Sequence, residues 1–144
     1  MSDLTLDAAQ IIVAAALKEA RALSLKPLAV VVYDARGAFK AFAAEDGTSL
    51  RRAEIAMGKA HGALALGMGS RAIAKAAAER PAFVTAVTHS IGGPNLVPVP
   101  GGVLIRAGGA VLGAVGISGD TSDNDELCAV AGIKAAGLDP DTGA

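Results

Sequence analysis

Two tight turns constrain this chain more than any other feature, because strands joined by so few residues can pair only antiparallel. The first turn is Asp34-Ala35-Arg36-Gly37. It follows Leu28-Ala29-Val30-Val31-Val32-Tyr33, a run that is apolar on both faces and β-branched, as a buried central strand requires. A second strand is predicted over residues 38–43. The other turn, Ala107-Gly108-Gly109, separates Val103-Leu104-Ile105-Arg106 from a strand over residues 110–118. Gly113 and Gly116 interrupt that strand and imply close approach by a helix, a ligand or another backbone.

Helical patterns fill the intervals. Leu6, Ala9, Val13, Ala16 and Leu17 recur at three- and four-residue steps, which predicts a helix over residues 4–23 capped by Thr5 or Ser2. Thr48 or Ser49 opens a second helix to about Leu66, and Ser70 caps a third that ends near Arg80-Pro81. Ser122, with Asp125 three residues on, has capping-box spacing and starts a last helix that Gly137 ends in left-handed conformation. Residues 83–99 read as irregular or weakly stranded, and the tail from Asp139 is expected to fray. Helix, hairpin, helices, hairpin, helix excludes a doubly wound parallel sheet. It predicts an α+β layered fold, an antiparallel sheet with helices packed on it.

A chain of 144 residues with no linker and no internal repeat is expected to form one domain over residues 1–144. Its formal net charge of −1 and its 3% aromatic content leave neither a basic face nor stacking platforms for nucleic acid. Cys128 is alone, so neither a disulfide nor a cysteine metal cluster is available. No apolar run is long enough to cross a membrane, and the N-terminus lacks a leader pattern, so a cytoplasmic location is expected. The apolar content is mostly Ala, Val, Leu and Ile with 18 Gly. Ala-rich helix faces left over from the core would suit contacts in a homo-oligomer.

Candidate chemistry gathers at three places. Ser49, Arg52, Ala56 and Lys59 fall along one helical face and form either an anion site or a solvated cationic stripe. Gly101-Gly102, after Val97-Pro98-Val99-Pro100, and Ser118 at a strand-to-helix junction offer backbone N–H groups and a hydroxyl to a carboxylate or phosphate. A plain turn, and capping by Ser122 and Asp125, are the structural alternatives. His61 and His89 cannot close a zinc site by themselves, though either can ligate a haem iron. No Gly-x-Ser-x-Gly elbow occurs, and Gly67-Met68-Gly69 lacks the strand–turn–helix setting of a nucleotide site.

Several of these runs occur together in one known family. Residues 31–37, Asp46-Gly47 with Ser49, and residues 56–60 including Lys59 resemble the first half of the GlcG/HbpS family. Pro100-Gly101-Gly102-Val103-Leu104-Ile105, then residues 113–119 and Asp125-Glu126, resemble its most recognisable run. The resemblance implies a profilin-like core, with a five-stranded antiparallel sheet between helices, and assembly into oligomers. Some relatives bind haem or are linked to its degradation, and others sit near catabolic enzymes. At Phe42-Ala43-Ala44-Glu45 this chain lacks the longer cationic residue that many relatives carry. Two functions are therefore expected to compete. One is binding of haem or another tetrapyrrole, with His61 or His89 on the iron. The alternative is a cofactor-independent isomerase, hydratase or lyase, in which Lys59 and Arg52 hold a carboxylate and Asp46, Asp125 or Glu126 moves a proton. An accessory subunit of a catabolic enzyme is the third reading.

Overall fold

A computed structural model describes residues 3–144. The order of elements is α1 (Leu6–Ala22), β1 (Ala29–Asp34), β2 (Phe39–Ala44), α2 (Arg52–Leu66), α3 (Ser70–Glu79), α4 (Pro81–Ile91), β3 (Gly102–Ala107), β4 (Ala110–Ser118), α5 (Ser122–Ala135) and β5 (Asp139–Asp141). The strands form one antiparallel sheet ordered β2-β1-β4-β3-β5, with both predicted hairpins in place. Among the described residues no helix is long and apolar enough to cross a membrane.

Strand alternation sorts the core into two sides. Val30, Val32, Val103, Ile105, Val115 and Ile117 point toward α1 and α5, where Ile12, Ala16, Cys128 and Ile133 complete one buried cluster. Val31, Tyr33, Leu104 and Ala114 point the other way, against Ala56, Ala60 and Ala63 of α2. The sheet thus lies between helical layers, as the resemblance implied. A smaller cluster of Ile73, Val84 and Leu96 docks α3, α4 and the following loop outside α2.

Four local expectations are corrected. Residues 81–91 form a helix, not an irregular segment. Pro81 sits in its first turn, and Val84, Val87 and Ile91 share the face that packs on α3. The tail does not fray. Leu104, Ile105 and Arg106 pair with Asp141, Pro140 and Asp139, and the Arg106–Asp141 ion pair at 2.7 Å fixes this edge. Proline is tolerated there because an edge strand needs hydrogen bonds on one side only. Thr121, not Ser122, caps α5 by accepting the Asn124 N–H. Arg51 occupies the cap position of α2 without a side-chain bond, while the Thr48 hydroxyl donates to Glu45 O at 2.6 Å. Thr5 does cap α1, accepting the Ala8 N–H; Ser2 lies outside the described residues.

Candidate functional site

The candidate residues converge because α2 lies unusually close to the sheet. A Cβ at Gly116 would stand 2.0 Å from Ala56 O, and one at Gly102 would stand 2.3 Å from Lys59 O. Only glycine permits that approach, and the small side chains of Ala56 and Ala60 match it from the helix side. The close contact carries Lys59 past the strand ends. Its Nζ donates to Ile117 O at 2.8 Å and to Asp125 Oδ2 at 3.1 Å. Lys59 is 2% exposed and Asp125 1%. The helical layers on opposite sides of the sheet are thereby joined by one buried ion pair. A Cβ at Gly101 would fall 2.8 Å from Nζ, so the missing side chain there gives the ammonium its room.

The pair is otherwise well satisfied. Asp125 Oδ1 accepts the Asp120 N–H at 3.0 Å. Asp120 in turn accepts from the Lys26 and Thr121 N–H groups and from Asn124 Nδ2. Those bonds, led by Asn124, hold its carboxyl down to about 2. Burial lowers the proton affinity of Lys59, and the Asp125 carboxylate pushes back against that effect. Neither partner is thus a free acid or base: each is committed to the other. Ser70, read from sequence as a helix cap, instead accepts the Gly102 N–H at 2.7 Å and occupies the donor that Gly102 would offer an anion.

Arg52 stands beside this pair. Its Nε donates to Ser49 Oγ at 3.2 Å and its Nη1 to Ser118 Oγ at 3.3 Å. Of the face predicted from residues 49, 52, 56 and 59, the last three lie on α2 and Ser49 precedes it; Arg52 and Lys59 meet Ser118, Gly101 and Asp125. Two candidates stay apart. Asp46 is exposed and lines a different depression with Arg21, Pro27 and Glu45. Glu126 is bound to Arg71, Nε to Oε2 at 3.0 Å, and the same guanidinium holds Asp123.

His61 faces the α4–β3 connection. Its Nδ1 lies 2.7 Å from Asn95 O. A carbonyl can only accept, so Nδ1 is the donor in this contact, and in the neutral ring Nε2 is the nitrogen with the free lone pair. The Nε2 side of the ring lies against Gly93, where an added Cβ would sit 3.3 Å away. Gly93 and Asn95 also line a groove of about 540 Å³ with Ile55, Met57, Leu96 and Val97, rimmed by Arg51 and Glu54. Sequence reasoning missed this groove, since one wall is the connection it left unstructured. His89 is exposed near the end of α4. Among the described residues no cluster of three or more His, Cys, Asp or Glu is arranged for a metal ion.

Residues 4–134 match the family described as Haem degrading protein HbpS-like. No curated protein matches the chain. Among solved structures, a PduOC–haem complex superposes with a TM-score of 0.84 at 23% identity, covering 95% of this chain and 97% of that one. Klebsiella pneumoniae protein ORFY superposes at 0.83 with 26% identity, covering 95% and 93%. A double mutant of Streptomyces reticuli HbpS gives 0.78 at 27% identity over 93% and 87%. With a family match over most of its length and the same fold in each of these neighbours, the chain belongs to the HbpS-like family.

Proposed function

We propose that the chain binds haem or a related tetrapyrrole in the groove between α2 and the α4–β3 connection, with His61, which adjoins the groove behind Gly93 and Asn95 and does not itself line it, as the iron ligand. The observation that carries this reading is the Nδ1–H bond from His61 to Asn95 O. Metal-ligating histidines commonly donate the other ring N–H to a carbonyl or carboxylate, which fixes the tautomer and orients the ring. The groove lies within the range of about 300–1,000 Å³ usual for small-molecule sites. Its Ile55, Met57, Leu96 and Val97 side chains offer apolar contact, and Arg51, now paired with Glu54 at 3.1 Å on the exposed surface, would have to exchange that partner to meet a propionate. Haem bound there would supply an iron centre for ligand or redox chemistry. Family membership, and the haem complex of a neighbour with the same fold, support the choice. Homo-oligomerisation belongs to the same proposal, because Phe39 and Phe42 on edge strand β2 and Phe83 on α4 leave apolar surface uncovered.

Titration of the purified chain with haemin tests the reading through the Soret band. The expected result is a saturable shift that His61→Ala abolishes and His89→Ala preserves, with unchanged far-UV circular dichroism. A wild-type spectrum equal to free haemin, or a shift indifferent to His61→Ala, overturns the assignment.

A further inference from the structure

We infer that the strand ends carry a second site, for a small organic carboxylate, built on the guanidinium of Arg52. The arginines of the chain show what is unusual there. Arg21, Arg36, Arg51, Arg71 and Arg106 each pair with a carboxylate, and Arg80 lies over the Phe83 ring. Arg52, among the described residues, has neither. It is nevertheless held in place, because Ser49 Oγ and Ser118 Oγ accept from its Nε and Nη1. Ser118 is 1% exposed, so this anchor is built into the core. Hydroxyls fix the position of a guanidinium without cancelling its charge.

The surroundings leave that charge uncompensated. Lys59 and Asp125 neutralise each other at 3.1 Å, so the trio of Arg52, Lys59 and Asp125 retains one positive charge. Arg52 is also the first residue of α2, whose N-terminus has no side-chain cap. The helix dipole adds positive potential at the same place, and Glu54, the acidic residue of the first turn, is engaged by Arg51 at 3.1 Å. Nη2 and the second Nη1 proton have no partner among the described residues, and they form the planar fork that receives a carboxylate in two parallel bonds. A single net charge suits a monocarboxylate better than a phosphate dianion. From Arg52 to His61 is about two and a half turns of helix, so the two side chains leave α2 on opposite sides. The inference is therefore independent of the haem reading.

Calorimetric titration of the full chain with formate, acetate, lactate and pyruvate, against inorganic phosphate and chloride, tests it. At least one carboxylate is expected to bind saturably and in preference to phosphate. Arg52→Gln should weaken that binding at least about tenfold, the loss expected for a charge-assisted hydrogen bond. His61→Ala should leave it intact. Arg52→Lys keeps the charge, lacks the fork and should weaken it too, which preserves the test if Arg52→Gln does not fold. Binding by none of the four acids, equal binding of phosphate or chloride, or full binding by either Arg52 variant overturns the inference. A matching loss of haemin affinity in Arg52→Gln would assign Arg52 to a haem propionate and overturn the separate site.

Discussion

Replacing Asp125 with Asn removes one charge from a place that holds two and leaves the shape nearly unchanged. The amide oxygen can still accept the Asp120 N–H that Oδ1 accepts now, so the perturbation isolates the ion pair. At 3.1 Å and an effective dielectric of about 20, two unit charges attract by about 5 kcal/mol. Truncating one partner of a buried pair typically costs about 3–5 kcal/mol, because the other is left uncompensated. Domains of this size have about 5–15 kcal/mol in total, so the variant should lose about a fifth or more of its stability at pH 7. The pH dependence carries a second signature. Burial already lowers the proton affinity of Lys59, and Asp125 is the group that opposes the effect. Without it the folded chain releases the Lys59 proton more readily, while the unfolded chain keeps it until about pH 10.4. The unfolded state then binds more protons across that interval, so the variant gains stability as pH rises and the deficit narrows. Urea unfolding followed by far-UV circular dichroism at pH 7 and pH 9 gives both numbers, given an unchanged slope. A deficit under about 1 kcal/mol at pH 7, or one that does not shrink by pH 9, would refute the account of a desolvated, mutually dependent pair. A Lys59→Met, Asp125→Leu double variant should recover most of the loss, since an apolar pair leaves no charge behind.

Gly116→Ala should destabilise by at least about 1–3 kcal/mol, because its Cβ would meet the Ala56 carbonyl and only a displacement of α2 could relieve the overlap; urea unfolding measures it, and an unchanged midpoint would show that α2 is not seated on the sheet as described. Tyr33 is the only tyrosine and there is no tryptophan, so tyrosinate absorbance reports this residue alone. Among the described residues its buried hydroxyl has no partner, and burial raises its pKa. Its contribution to stability is therefore present below pH 10 and lost as pH rises through the folded value; a native titration midpoint at or below 10 would contradict the burial. Tyr33→Phe removes an unpaired hydroxyl and should leave stability unchanged or raised by about 1 kcal/mol.

Most of the architecture was legible because it depends on local chemistry. Alternation and β-branching marked β1, turn residues marked both hairpins, and three-to-four spacing marked α1, α2 and α5. The shared face of Arg52, Ala56 and Lys59 was legible for the same reason, since helical geometry alone places those residues together; Ser49 precedes α2 and joins them through its bond to Arg52. Residues 81–91 were not, because Pro81, Val84, Thr85, Val87 and Thr88 are weak helix formers by local preference. Docking of Val84, Val87 and Ile91 against α3 overrides that preference.

Local patterns along the chain specify an antiparallel α+β sheet with a cationic helix face and glycines in a core strand. What those features do depends on contacts made across the fold. Gly102 and Gly116 admit α2, Gly101 makes room for the Lys59 ammonium, and Ser70 binds a strand instead of its own helix. Asp125 is engaged by Lys59 while Asp46 and Glu126 are not part of that cluster. Each of these outcomes is a contact between residues distant in the chain. Local propensity fixes backbone conformation, but the partner of a buried charge is set by which surfaces the close-packed core brings together.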